Sequence, residues 1–171
     1  MARDAAFEIL YREYYPRVFG LCRRLLNSQD AAEDAVQEVF IRAYKSFGKY
    51  DAEQPFWQWI AAITNNYCID VLRQRGRGEA LFGDEEAELE AAESGAPTPV
   101  ADLITRQDAR IVSEAIGALP DKYRVPLVLA YLNQSSYDDI SAQLEISRNH
   151  VGVLLLRAKQ QLRAQLGEDS V

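Results

Sequence analysis

The segment Asp30-Ala31-Ala32-Glu33-Asp34-Ala35-Val36-Gln37-Glu38-Val39-Phe40-Ile41-Arg42-Ala43-Tyr44 carries two stripes at helical spacing. Val36, Val39, Phe40, Ala43 and, just beyond, Phe47 recur in three- and four-residue steps and form one apolar line. Asp34, Gln37, Glu38 and Ile41 form a second line on a different face. A helix needs only the first line to bury itself against a core. The second is available to a partner. No alternating strand pattern competes here or elsewhere in the chain, so the expected fold class is all-α.

Outward from this helix the pattern stays helical. A first helix is expected from about Asp4 to Leu26, with Phe7, Leu10, Tyr11, Tyr14, Val18, Leu21, Cys22 and Leu25 on its apolar face and a possible bend at Pro16. The quoted helix starts near Ser28 or Asp30, where Asp30 and Glu33 have capping-box spacing, and ends around Phe47-Gly48. A loop with Tyr50, Asp51 and Glu53 follows. Pro55 suits the first turn of a third helix reaching Arg75, with Ile60, Ile63, Tyr67 and Val71 at core spacing. Phe56 and Trp59 read as core and Trp57 as exposed.

Gly76 to Ala101 breaks the pattern with four glycines, two prolines and the run Asp84-Glu85-Glu86-Ala87-Glu88-Leu89-Glu90. Such a segment reads as a linker. The expected organisation is two small helical domains, residues 1–78 and 104–167, joined by a flexible acidic linker over 79–103. The second domain should hold a helix from about Thr105 to Leu119, another after Leu119-Pro120 to about Leu132, a short one over Ser136 to Leu144, and a last one to about Leu166. Pro126 fits the second of these only if its regular part begins late. Ser136 with Asp139, and Ser147 after the turn Glu145-Ile146, are placed as caps.

The net charge of −7 is unevenly spread. Residues 1–78 carry 11 basic and 10 acidic side chains, residues 79–102 carry none and 8, and residues 103–171 carry 8 of each. The deficit lies in the linker, so the flanking parts remain able to approach an anion. No apolar run approaches the roughly 20 residues of a membrane span, and Arg3, Asp4 and Glu8 do not suit a secretory signal. A cytoplasmic protein without membrane insertion is expected. Cys22 and Cys68 read as buried reduced thiols. With His150 the single histidine, no metal site is expected, and no Gly-rich phosphate loop or nucleophile elbow points to an enzyme or a cofactor.

Two surfaces could meet nucleic acid. Along the third helix, Asn66, Asp70, Arg73 and Arg77 line up one turn apart, where amide and guanidinium groups can reach base edges and phosphates. Phe47, Tyr50, Phe56, Trp57 and Trp59 lie just before them, and aromatic rings can stack on unpaired bases for about 1–3 kcal/mol each. In the second domain, Ser136-Tyr137-Asp138-Asp139-Ile140-Ser141-x-x-Leu144-x-Ile146-Ser147 fits a helix-turn-helix. Ile140, Leu144, Ile146, Val151, Leu155 and Ala158 would pack its two helices. Ser147, Arg148, Asn149, His150, Gly152, Val153 and, one turn on, Arg157 would face DNA, with His150 a DNA or solvent contact. Two helices of an ordinary bundle give a similar pattern.

The motif Ala32-Glu33-Asp34-x-x-Gln37-Glu38-x-Phe40 resembles the second conserved region of bacterial sigma factors, specifically the extracytoplasmic-function group. Pro55-Phe56-Trp57-Gln58-Trp59-Ile60 with Asn66-x-x-x-Asp70-x-x-Arg73 is similar to the segment of that family that opens DNA at the −10 element. Leu119-Pro120-x-x-Tyr123-Arg124 followed by Ser136-Tyr137 resembles its fourth region, which reads the −35 element. The resemblance spans about Ala5 to Leu166. It implies that Asp34, Gln37, Glu38 and Ile41 dock on the clamp of the largest catalytic subunit of core RNA polymerase. It further implies that Tyr50, Trp57, Asn66, Asp70, Arg73 and Arg77 bind and melt −10 DNA, the loop of about Gly48 to Gln54 holding a flipped base. The second domain would bind −35 DNA and the flap region of the other large subunit, and the linker would thread toward the RNA path. An anti-sigma partner and a role in stress response follow from the same family.

The chain departs from the family toward less charge. Trp57, Ala61 and Ala62 stand where many relatives carry arginine, and Gly152 and Leu154 where many carry lysine or arginine. Leu154 and Leu156 are then expected as an exposed apolar surface, for thymine methyls or for an inhibitory partner. Two other classes stay open at this point: a stand-alone helix-turn-helix regulator, and a helical adaptor that binds no DNA.

Overall fold

Among the described residues, 2–76, 81–85 and 109–167 of a computed structural model, every regular element is helical and no strand occurs. The chain divides into two compact units, Met1–Arg75 and Gly76–Val171. Arg77 and most of the expected linker, including Glu86, Glu88 and Glu90, lie outside the described residues.

The first unit holds α1 (Ala2–Leu26), α2 (Gln29–Ser46), a 3-10 turn (Phe47–Lys49) and α3 (Phe56–Arg75). Asn27 stops α1. Its φ of 54° lies in the left-handed region that asparagine tolerates, and its N–H donates to the Arg23 carbonyl at 2.9 Å. Ser28 caps α2, its Oγ accepting from the Ala31 N–H at 3.2 Å. Asp30, the alternative start, instead lies in the first turn, where a carboxylate suits the helix dipole. The two-residue connection makes α1 and α2 neighbours, and all three helices pack on one another.

Their shared core contains Val18, Leu21, Cys22 and Leu25 of α1, Ala32, Val36, Val39 and Ala43 of α2, and Ile60, Cys68, Ile69 and Leu72 of α3. Each large apolar side chain removed from water there contributes about 1.5–3 kcal/mol. The register of α3 differs from expectation. Ile63, Tyr67 and Val71 are only half-buried, and the inward line is Ile60, Ala61, Thr64, Asn65, Cys68, Ile69 and Leu72. Small side chains at 61, 64 and 68 let α3 come close to α1 and α2, and the bulkier neighbours move to the flank. Pro16 lies within α1 without ending it.

The second unit holds α4 (Ala109–Gly117), α5 (Asp121–Tyr131), α6 (Tyr137–Leu144) and α7 (Arg148–Leu166). The expected start of α4 at Thr105 falls outside the described residues. α7 packs on each of α4, α5 and α6. Pro126 stands in the interior of α5, which begins at Asp121 and not late. Proline there removes one N–H donor, and the buried side chains of Tyr123, Val125, Leu127, Val128 and Leu129 hold the helix against the core. Arg124, 2% exposed, donates to the Leu119 carbonyl at 3.0 Å and pairs with Asp121, tying α5 to the α4–α5 turn.

The caps of α6 and α7 form as their sequence suggests. Ser136 Oγ accepts from the Asp139 N–H at 3.1 Å, and Asp139 Oδ2 accepts from the Ser136 N–H at 3.4 Å. Glu145 takes φ 56° at the end of α6, and Ser147 Oγ accepts from the His150 N–H at 3.0 Å. A left-handed residue between two capped helices is the turn of a helix-turn-helix.

Candidate functional site

The outer line of α2 is available to a partner. Asp34 and Gln37 are exposed and Ile41 is 48% exposed. Glu38 is half-buried and accepts from Arg42 Nε at 3.1 Å. The Arg42 guanidinium in turn lies 4.8 Å from the ring centroid of Tyr67 on α3. Burial first, and then the Glu38 carboxylate, push the Tyr67 phenol above its usual value, while Arg42 pulls it back.

A groove of about 450 Å³ lies beside this line, walled by Phe7, Tyr11, Phe40, Ile41 and Tyr44, with Gln37 and Lys45 also lining it. Its aromatic floor is fixed by edge-on packing. The Phe7 ring meets Tyr44 at 5.2 Å and Phe40 at 6.3 Å, and Tyr11 meets Phe40 at 4.7 Å. Tyr44 OH donates to Asp4 Oδ1 at 2.7 Å, and Arg3 donates to the Tyr44 carbonyl at 3.0 Å. The hydrogen bond to Asp4 holds the Tyr44 proton and pushes its phenol up. Tyr11 and Tyr44 were not among the expected docking residues. Tyr44 continues the line Gln37–Ile41 by one further three-residue step, so extending the stripe would have found it.

The residues expected at −10 DNA fall into two groups. Tyr50 is half-buried in an aromatic cluster, 5.5 Å from Phe56 and 5.0 Å from Trp59, and its OH donates to the Gln54 carbonyl at 2.6 Å. With Asp51 Oδ1 accepting from the Glu53 N–H at 3.0 Å, this fixes an exposed loop over residues 51–55. Phe56 is buried as expected, but Trp59 is only half-buried. Trp57 is also half-buried and not exposed, because the Arg17 guanidinium covers its ring at 3.9 Å. Asn66 and Asp70 form an exposed line along α3, with Arg73 3.8 Å from Asp70. Arg77 lies outside the described residues.

The tip of α7 presents Ser147, Arg148 and Asn149, all exposed. Arg148 pairs with Asp138 at 3.2 Å. Beside them Tyr137, Arg148, Asn149, Gly152, Val153 and Leu156 line an open groove of about 510 Å³. Tyr137, 38% exposed, and Leu156 are the members outside the set expected at −35 DNA. A Cβ on Gly152 would stand 3.6 Å from its ring, an ordinary contact.

Three expectations fail at this helix. His150 faces neither DNA nor solvent. It is 4% exposed, and its Nε2 has no hydrogen-bond partner. Val153 is 7% exposed, and Leu154, expected on the surface, is fully buried. The reason is that α7 is covered by three helices, so more of its circumference is interior than a two-helix motif requires. Gly152, Leu156 and Arg157 are half-buried. Ile146 is half-buried, whereas Ile140, Leu144, Val151, Leu155 and Ala158 form the expected interior.

Among the described residues no group of histidine, cysteine, aspartate and glutamate could hold a metal, and no helix is long and apolar enough to cross a membrane. Cys22 and Cys68 are buried free thiols within hydrogen-bonding reach of each other. That hydrogen bond, and then burial, push the Cys68 thiol far up.

A three-helix unit with an exposed line on α2 and a second unit built on a helix-turn-helix suit a two-part transcription protein, and the known families say which. Residues 10–78 match the Sigma-70 region 2 family and residues 109–162 match the Sigma-70, region 4 family. The ECF RNA polymerase sigma factor SigW of Bacillus subtilis is 32% identical over 94% of this chain and 89% of its own length. The corresponding SigE of Mycolicibacterium smegmatis is 32% identical over 96% of this chain, which spans 63% of that relative. The ECF RNA polymerase sigma-E factor of Escherichia coli K12 is 28% identical over 91% of this chain and 83% of its own length. The chain belongs to the ECF RNA polymerase sigma factors. Its fold is similar to that of the sigma factor RpoE crystallised with the anti-sigma factor NepR from Bartonella quintana, with a TM-score of 0.62 at 21% identity, over 96% of this chain and 98% of the other.

Proposed function

We propose that this chain binds core RNA polymerase and directs initiation at its own set of promoters, and that an anti-sigma factor controls it. Family membership supports the general role. The observation that carries the site assignment is the exposed line Asp34, Gln37, Ile41 beside an aromatic groove on a helix whose other face is wholly interior. An exposed isoleucine with aromatic walls and few charges has the chemistry of an interface centre. Core polymerase would dock there through the clamp of its largest subunit. α3, with Asn66, Asp70, Arg73 and the aromatic loop before it, would open −10 DNA. The tip of α7, with Ser147, Arg148 and Asn149, would bind −35 DNA, and the flap region of the other large subunit would meet the second unit. His150 and Val153 act there as packing. The chain performs no chemistry itself, and its place is the bacterial cytoplasm with the polymerase. The anti-sigma reading draws on the solved relative, whose complex contains such a partner.

The test mixes purified protein with core polymerase and a promoter library. Sequence-specific transcripts that require this protein are the expected outcome. Specific DNA binding that needs no polymerase would instead make it a stand-alone regulator, and neither activity would leave a helical adaptor.

A further inference from the structure

The DNA-facing tip of α7 already holds an anion, and the anion comes from this chain. Glu85 Oε1 accepts from Ser147 Oγ at 2.7 Å and from Asn149 Nδ2 at 3.1 Å. The single Ser147 hydroxyl proton is thereby committed to Glu85, while Ser147 Oγ accepts from the His150 N–H at 3.0 Å. The carboxylate sits at the N-terminal end of a 19-residue helix, where the dipole favours negative charge and where a DNA phosphate would be bound by the same donors. Two neighbouring features place Glu85. Phe82 is 4% exposed and anchors the segment, and Gly83 turns the chain at φ 76°, a conformation that favours glycine. Glu85, Ser147 and Asn149 belong to the same compact unit.

We propose that Glu85 is a built-in competitor of DNA, a carboxylate standing in for a backbone phosphate on Ser147 and Asn149 and holding the recognition tip closed to non-specific duplex. This rests on α7 being the DNA-facing helix.

The full chain is titrated into a fluorescent duplex pool of random sequence, about 30 base pairs long, at low salt, where phosphate contacts dominate binding. Glu85→Gln should bind about three- to tenfold tighter than the parent, the loss of one charge-assisted competitor. Glu90→Gln removes the same charge from the same run and should change affinity by less than about twofold. The gain from Glu85→Gln should shrink in an Asn149→Ala background, because Glu85 then competes with phosphate only at Ser147 Oγ. Equal tightening by Glu85→Gln and Glu90→Gln, or none by Glu85→Gln, overturns the competitor. If neither Arg148→Ala nor Asn149→Ala weakens binding of the parent, α7 is not the DNA-facing helix, and the competitor falls with that reading.

Discussion

Gly20 lies inside α1 with, beyond its chain neighbours and its own helix backbone, no atom within 4 Å of where its Cβ would stand. Nothing in its surroundings demands a glycine, so the residue gives only backbone freedom to the unfolded chain. Gly20→Ala should raise the stability of the first unit by about 0.5–1 kcal/mol. Both tryptophans, Trp57 and Trp59, lie in that unit, so its urea midpoint is readable by their fluorescence. Arg124 is the opposite case, a buried cation held by the Leu119 carbonyl and Asp121. Arg124→Ala should cost the second unit about 2–3 kcal/mol by leaving the Leu119 carbonyl and Asp121 without that donor, seen as a lower calorimetric transition for that unit alone. Of these residues the sequence shows identity only. Arg124 reads as one more surface cation until the fold closes over it.

At the scale of elements, α2 buries one face in the core and leaves Asp34, Gln37 and Ile41, the proposed docking line, to solvent. The Glu38–Arg42 pair is half-exposed, so removing it changes stability little. Asp34→Ala with Glu38→Ala should therefore abolish co-purification with core polymerase while the circular dichroism of the helices stays unchanged. Normal yield of the complex would refute the docking line. Between α1 and α3, Cys22 and Cys68 form a buried contact with the Cys68 thiol held protonated. A protonated, inaccessible thiol is a poor nucleophile. Both cysteines should stay unlabelled by iodoacetamide in the native protein and react only as the first unit unfolds, as followed by mass spectrometry. The helix caps Ser136, Asp139 and Ser147 were legible because a cap acts within three residues of itself. The register of α3 was not, because two apolar lines run along it and neighbouring helices choose between them.

At the scale of the molecule, charge is divided by segment, with the carboxylate excess of residues 79–102 between two nearly neutral parts. Reversing Glu85, Glu86, Glu88 and Glu90 to lysine should weaken initiation, measured as abortive transcripts from a cognate promoter, with little change in thermal unfolding. Unchanged transcription would reject a role for the acidic run inside the polymerase. With few cations on the faces of α3 and α7 proposed to meet DNA, the chain alone should hold duplex weakly, and the proposed docking through α2 would contribute more of the hold on a promoter.

The sequence by itself determined the all-helical class, the order of the two units, the caps, and the exposed stripe on α2, since each depends on spacing within one helix or on local composition. Only the tertiary structure decided which faces of α3 and α7 are interior. It buried His150, Val153 and Leu154, covered Trp57 with Arg17, and placed Glu85 on Ser147 and Asn149 across more than sixty residues. Periodicity reports that a helix has an apolar side, and the number of helices packed against it sets how far round that side extends.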